Sequence, residues 1–294
     1  MAIRWMTLLS IAVAAGQVTA KYALARATHC RSAALQALRL LDRPMNKTML
    51  KQIQAHAAAE FPKESCGVVI REAGRLKYVP CRNDAKTPSE HFIINPSDKC
   101  DAEDRGEVTM IIHSHPDVPP VPSMTDRVSC ELHEKPWGIV SWPSGEYFEF
   151  KPCGYQAPLI GREFGHGLLD CYALCRDYYE REHGIELPNY PRRDGWWNDG
   201  ESLYEKYYEE AGFYAVSVPR KGDMIVMQIN AGAPNHAGIY LGDGMLTSAP
   251  DLHPAPGTFL HHRYNKKSTR DVYGGMWADY TVLILRHQRV PEVD

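Results

Sequence analysis

An apolar, β-branched run from Glu107 to Ile112 ends in His113-Ser114-His115-Pro116, and Ser123-Met124-Thr125-Asp126 follows after the seven residues Pro116 to Pro122. Alternate side chains of an extended chain share one side, so the spacing predicts that both imidazoles face the same point. Asp126, at the start of the helix predicted over Ser123 to Glu134, supplies a third ligand. A fold that satisfies this pattern must bring a strand end and a helix start together. Two nitrogens and one carboxylate oxygen with a fourth position left open form the donor set of a catalytic zinc site, and suit Zn2+ better than magnesium or calcium. A base is still required. Glu64, in Pro62-Lys63-Glu64-Ser65-Cys66-Gly67 ahead of the predicted strand Cys66 to Ile70, is the candidate, and Ser123 is a candidate donor to a developing oxyanion. Ser123-x-x-Asp126 also reads as a capping box, a reading compatible with metal binding.

Glu64, His113-Ser114-His115, seven residues and Ser123-x-x-Asp126 together resemble the JAMM metallopeptidase motif without departure. The resemblance implies a curved sheet with flanking helices and cleavage of peptide or isopeptide bonds.

A second constellation lies downstream. Cys171 falls in the first turn of a helix predicted over Leu168 to His183, where the positive helix end is expected to depress its pKa. His236, opening the predicted strand Ala237 to Leu241, completes a dyad as base and then acid. Cys175, one turn further on, reads as a small core residue, and Tyr172 as a groove-lining or packing ring. Asp170-Cys171, Gly222-Asp223 and His236-x-x-Ile239-Tyr240-Leu241-Gly242 resemble the NlpC-type cysteine peptidases across residues 160 to 290. That family cuts cell-wall peptides, and its third catalytic member is a polar residue, often histidine, on the strand after the hairpin turn. The corresponding position, twelve residues beyond His236, is Ser248. A serine can orient the imidazole but carries no charge to stabilise the imidazolium. His253 is a substitute that its proline-flanked setting assigns to the surface.

The two resemblances imply an α+β chain of two domains, a JAMM-type curved sheet with flanking helices and a papain-like NlpC-type domain. Expected boundaries are 1–44 for an N-terminal extension, 45–151 and 162–294 for the domains, and 152–161 for a linker marked by Pro152, Gly154, Pro158 and Gly161. Other predicted elements are a helix over Met49 to Glu60, a hairpin from Cys66 to Pro80, a hairpin from Trp137 to Phe150, a loop over Tyr190 to Gly200, a helix over Ser202 to Ala211, and strands at Met224 to Ile229 and Tyr280 to Arg286. The order of the domains resembles the tail-tip assembly proteins of lambda-like siphophages. That resemblance implies phage tail-tip proteins and peptidoglycan peptides as partners, in the host cytoplasm during assembly and at the virion tail tip. Three readings stay open: a bifunctional hydrolase, an assembly factor with one idle site that mainly binds tail proteins, and a secreted wall hydrolase.

Composition narrows the rest. With 33 basic and 36 acidic residues and a net charge of -3 in 294, the chain offers no concentrated basic face, which argues against a nucleic-acid partner. Arg192-Arg193 and Lys266-Lys267 read as solvated surface. The apolar run Trp5 to Ala15, after Arg4, is shorter than the ~20 residues a spanning helix needs, so stable membrane insertion is not expected. Val18-Thr19-Ala20 resembles a cleavage site, yet an upstream start ahead of Met45 or Met49 is the preferred account of residues 1–44. Eight cysteines are too sparse for a disulfide scaffold, and a reduced compartment is expected.

Overall fold

In the computed structural model the described residues are 45–291. The expectations for residues 1–44 lie outside them. Helix α1 (Lys47–Glu60) is capped by Asn46, whose Oδ1 accepts from Thr48 N at 2.8 Å, and it stops ahead of Phe61-Pro62. Among the described residues no helix is long and apolar enough to cross a membrane.

The first sheet is built from β1 (Cys66–Glu72), β2 (Arg75–Cys81), β3 (Glu107–Pro116), β4 (Trp137–Trp142) and β5 (Tyr147–Phe150), in the order β2-β1-β3-β4-β5. All neighbours are antiparallel except β3 and β4, whose parallel pairing needs a crossover. Helix α3 (Met124–His133) makes it. A helix the sequence reading missed, α2 (Pro96–Arg105), begins where Asn95 Oδ1 accepts from Ser97 N and Asp98 N at 3.0 and 3.1 Å, with proline at its first position. Cys66, Val68 and Ile70 of β1 alternate onto one face and pack with Ile111, Trp137, Ala102 of α2 and Cys130 of α3.

Strand β3 runs four residues past the predicted end at Ile112. Its partner β4 keeps pairing it, from Ile111 opposite Trp137 to Pro116 opposite Trp142. His113 and His115 therefore lie within the strand, and their shared side follows from the pleat rather than from a loop.

The second sheet holds β6 (Phe213–Val216), β7 (Met224–Met227), β8 (His236–Gly242), β9 (Thr258–His261), β10 (Thr269–Val272) and β11 (Thr281–His287), all antiparallel, in the order β10-β9-β8-β7-β11-β6. Helix α4 (Cys171–His183) turns Leu174, Tyr178 and Tyr179 onto the face that carries Val226, Ala237, Ile239 and Leu260. The alternate residues Ile225, Met227 and Phe259 pack on the other face with Trp277 of the short helix α6 (Met276–Tyr280). Helix α5 (Leu203–Tyr207) is one turn and a half, shorter than the expected Ser202 to Ala211. Strands β6, β9 and β10, of four residues each, were not predicted.

Residues 152–161, a linker by composition, carry no helix or strand, yet they are tied down. Glu131 Oε1 accepts from Cys153 N and Tyr155 N at 2.7 and 2.9 Å, and Ala157 and Leu159 are buried. Arg162, fully buried, closes the segment by donating to Pro158 O at 2.8 Å, Ala157 O at 3.0 Å and Asp177 Oδ2 at 2.7 Å. Its backbone N donates to Ser268 Oγ at 2.9 Å. Removing one partner of a buried pair strands the other, so Arg162→Leu is expected to cost roughly 3 kcal/mol in denaturant unfolding. A loss below about 0.5 kcal/mol, the range of an ordinary surface substitution, would show that this clasp is not structural.

Candidate functional site

The strand register builds the first site. Cys66 of β1 lies opposite His113, Ser114 N donates to Ser65 O at 2.9 Å, and Ser114 Oγ accepts from Ser65 N at 2.7 Å. Continuing that register brings Glu64 alongside His115, and its backbone is pinned by Glu64 N donating to Pro88 O at 2.7 Å. On the crossover side, Ser123 caps α3 and brings Asp126 in. His113 Nε2 and His115 Nε2 lie 3.1 Å apart, with Asp126 Oδ1 3.4 Å from the former and Oδ2 3.6 Å from the latter. All three residues are buried, and their donor atoms fall within 4.8 Å of one another.

This donor set fits a tetrahedral cation. Ligands at about 2.0–2.1 Å from one ion are spaced about 3.3–3.4 Å apart, close to the three separations observed. The His113 ring is oriented by packing, with Phe92 stacked at 4.7 Å and Trp137 edge-on at 5.6 Å, while its Nδ1 is buried without a hydrogen-bond partner. His115 Nδ1 lies 3.3 Å from Pro119 O.

Electrostatics divide the two carboxylates. Burial pushes Glu64 up to about 7, with the two histidines opposing and Asp126 adding to the rise. Burial would also raise Asp126, but the histidines and the Ser123 hydroxyl hold it far below the usual carboxylate range. For His115, burial is outweighed by Asp126, and the pKa rises. The capping box is present in full: Asp126 N donates to Ser123 Oγ at 3.0 Å, and Ser123 N and Oγ each donate to Asp126 Oδ2 at 2.8 Å. In this arrangement the Ser123 hydroxyl donates to Asp126 and so positions it.

The second site forms where the start of α4 meets β8. Cys171 is the first residue of α4, Asp170 is its N-cap, and Tyr204 of α5 places its hydroxyl 3.3 Å from Cys171 Sγ. Cys171 and His236 line one cavity of about 580 Å³, walled largely by aromatic rings. His236 Nε2 lies 3.0 Å from His261 Nδ1, and His261 Nε2 lies 3.1 Å from Asp271 Oδ2. A carboxylate only accepts, so His261 carries its proton on Nε2 and accepts at Nδ1 from His236 Nε2–H. That leaves the Nδ1 lone pair of His236 as the base. Gly238 makes the approach of β9 feasible, since a Cβ there would lie 2.8 Å from Leu260 O and 2.9 Å from His261 Cβ.

Three expectations are corrected here. Ser248 is not the third member: it is exposed, and its N and Oγ donate to Glu182, the former at 2.7 Å. Counting twelve residues assumes a tight hairpin, whereas residues 243–257 form a long excursion between β8 and β9 and delay the partner to His261, opposite Gly238. His253 is exposed and engages Arg270 through its carbonyl. Nor is the Cys171 thiol depressed. Burial and the adjacent Asp170 push it up, against the Tyr204 hydroxyl, the Ala237 N–H and Arg192. Burial likewise pulls His236 down to about 3, so thiol and imidazole rest neutral. His261 and Asp271 were missed because two four-residue strands carry them; the alternation Phe259, His261 after Gly257 was the available signal. Arg192, read as surface, is buried against Asp170. Tyr172 packs, with its hydroxyl donating to Pro188 O at 2.8 Å, and also lines the cavity. Cys175 is fully buried in the core.

Residues 46–151 match the family described as prokaryotic homologs of the JAB domain, and residues 161–286 match the NlpC/P60 family. A JAB1/MPN domain protein from Archaeoglobus fulgidus is similar at 21% identity and a TM-score of 0.22, over 35% of this chain and 93% of that one. The tail tip assembly protein K of Escherichia phage N15 is 40% identical over 249 residues, 84% of this chain and 97% of that protein. Its counterpart from Escherichia phage lambda is 36% identical over 197 residues, 66% of this chain and 89% of that protein. With both peptidase-family segments matched in the same chain and identity of this extent along it, the chain belongs to the tail tip assembly protein K family.

Proposed function

We propose that this chain acts in phage tail-tip assembly and carries two working hydrolytic sites, a zinc-dependent peptidase and a cysteine endopeptidase that cuts peptidoglycan stem peptides. Its partners are then tail-tip proteins and wall peptides, met in the host cytoplasm during assembly and at the virion tail tip. The observation that carries the reading is the chain Cys171, His236, His261, Asp271: a nucleophile and a base lining one aromatic cavity, with an orienting pair behind the base.

In the cysteine site, substrate entering the cavity meets a neutral thiol. His236 Nδ1 takes its proton as the sulfur attacks the scissile carbonyl, and the imidazolium is held by His261, which relays the field of Asp271. The same proton then passes to the leaving amine. In the other site, His113, His115 and Asp126 would hold Zn2+, which supplies a Lewis acid to a scissile carbonyl. Glu64 takes the proton of the attacking water and delivers it to the amine. A tail protein is the substrate we assign to this half. The assembly-factor reading drew its support from a serine as third member, and His261 removes that support.

The test is digestion of purified peptidoglycan by wild type, Cys171→Ala and His113→Ala proteins, with released muropeptides identified by mass and metal content measured in parallel. Wild type and His113→Ala are expected to release cut stem peptides and Cys171→Ala none, while only His113→Ala loses its metal. A folded, metal-loaded wild type that releases nothing would turn the reading to an assembly factor. In the same assay His261→Ala is expected to lower kcat by about 10²–10⁴ and Ser248→Ala by less than twofold; equal effects would return Ser248 to the site.

The depressed pKa of His236 fixes a sign. The neutral ring's contribution to stability is present above the unfolded value near 6.5 and is lost as pH falls towards about 3, where the buried ring must charge. The acid limb of kcat/KM is therefore expected below about pH 5, and a midpoint between about 6 and 7 would show an ordinary, solvated imidazole.

A further inference from the structure

Arg192 is among the most fully engaged cations of the described chain. Its side chain and that of Asp170 are each 5% exposed. Nε donates to Asp170 Oδ2 at 2.6 Å and Nη2 to Asp170 Oδ1 at 2.9 Å, a two-point fork that lysine cannot reproduce. Its remaining donors reach Gly167 O at 3.2 Å, Tyr190 O at 2.9 Å and Asn189 Oδ1 at 3.0 Å, and its Cζ lies 5.3 Å from the centroid of the Tyr172 ring. Asp170 in turn accepts from Ala173 N and Gly167 N, both at 2.9 Å. The loop before α4, the N-cap and the loop carrying Tyr190 are thus tied to one guanidinium, directly beside Cys171.

The arrangement has an electrostatic side as well. A carboxylate one residue from the sulfur opposes formation of a thiolate, and a guanidinium clamped to that carboxylate offsets it. We infer that Arg192 is a positioning residue for Cys171, fixing the start of α4 through Asp170 and balancing the carboxylate's charge beside the sulfur. This rests on the reading of Cys171 as a peptidase nucleophile. The other titratable groups facing the sulfur are the Tyr204 hydroxyl from α5, His236 at the start of β8 across the cavity, and Cys175 on α4 itself. His262, Arg263 and Lys266 line the same cavity, and of the charged groups it is Asp170 and Arg192 that act most strongly on the sulfur.

The experiment uses the full chain and follows iodoacetamide alkylation of Cys171 against pH by mass spectrometry, with the exposed Cys100 and Cys153 as references in the same molecule. Arg192→Gln is expected to move the Cys171 midpoint up by about one pH unit, about tenfold slower alkylation at neutral pH, and Asp170→Asn to move it down by a similar amount, with the references unmoved. On peptidoglycan, Arg192→Gln should lower kcat about tenfold with KM within about twofold, and Arg192→Lys should restore the midpoint but only part of kcat. If Arg192→Gln does not fold, the downward shift of Asp170→Asn carries the test. Midpoints that coincide with wild type in both variants overturn the inference. Variants that show these shifts beside a wild type that cuts no peptidoglycan overturn the peptidase reading instead, and leave the placement of Arg192 standing.

Discussion

Antiparallel register is the constraint on which both sites rest. A slip of one residue between β1 and β3 would turn His113 and His115 to the opposite face and carry Glu64 away from them, because the side-chain period of a strand is two. The same holds for β8 and β9, where Gly238 opposite His261 sets the contact between His261 and His236. In each sheet the register is enforced by the face that packs on helices: Val68 and Ile70 or Val226 and Ala237 cannot turn away without losing their core. The geometry of both sites is thus a consequence of where apolar side chains must go, and the chemistry-bearing residues occupy positions the core has already fixed.

The two sites solve the cost of burying polar groups in opposite ways. The metal site gathers an anion, Asp126, with two imidazoles and a carboxyl that titrates near neutrality, an arrangement that is costly without a cation and stabilised by one. The cysteine site stays neutral at its reactive atoms, with the thiol pushed up and His236 pushed down, while Asp170 is paired with Arg192 and Asp271 lies behind His261. A neutral resting pair needs no counter-ion in an apolar cavity, and it separates charge only when a substrate carbonyl accepts the sulfur.

What could be read from the sequence follows the range of the interactions involved. His113, His115 and Asp126 were legible because a strand end and a helix cap lie within fourteen residues, and Cys171 because Asp170 marks a helix start. The hairpin strands β4 and β5 fall at the predicted residues, the four-residue β5 being marked by the Pro143-Ser144-Gly145-Glu146 turn that joins it to β4. His261 was not legible by counting, since the excursion over 243–257 changes the spacing without changing the pairing. Strands of four residues such as β9 and β10 carry too few alternations to stand out, and α2 is held by its cap and by Ala102 rather than by a broad apolar face. Arg192 looked like surface because its partner lies 22 residues away. Charge runs are read as solvated by default, and only the fold reveals which member of the pair turns inward.

The segment 152–161 shows the same limit from another side. Proline and glycine mark it as a connection, and composition alone would make it a hinge. Its backbone N–H groups at Cys153 and Tyr155 are instead bound by Glu131 of α3, the helix that carries Asp126, and its far end is held by Arg162 to Asp177 of α4, the helix that carries Cys171. Opening a hinge there would expose Ala157 and Leu159 and strand a buried guanidinium. Met124 N, at the start of α3, donates to Glu163 Oε2 at 3.3 Å, and Gly165 lies close enough to Thr125 that a Cβ would meet its Oγ1 at 2.9 Å. The helix starts that bear Asp126 and Cys171 are therefore braced through one short stretch of chain. A second bridge lies elsewhere, where Lys86 Nζ donates to Asp194 O at 3.4 Å and lies 3.8 Å from Asp194 Oδ2, so the two domains are braced at two separate places.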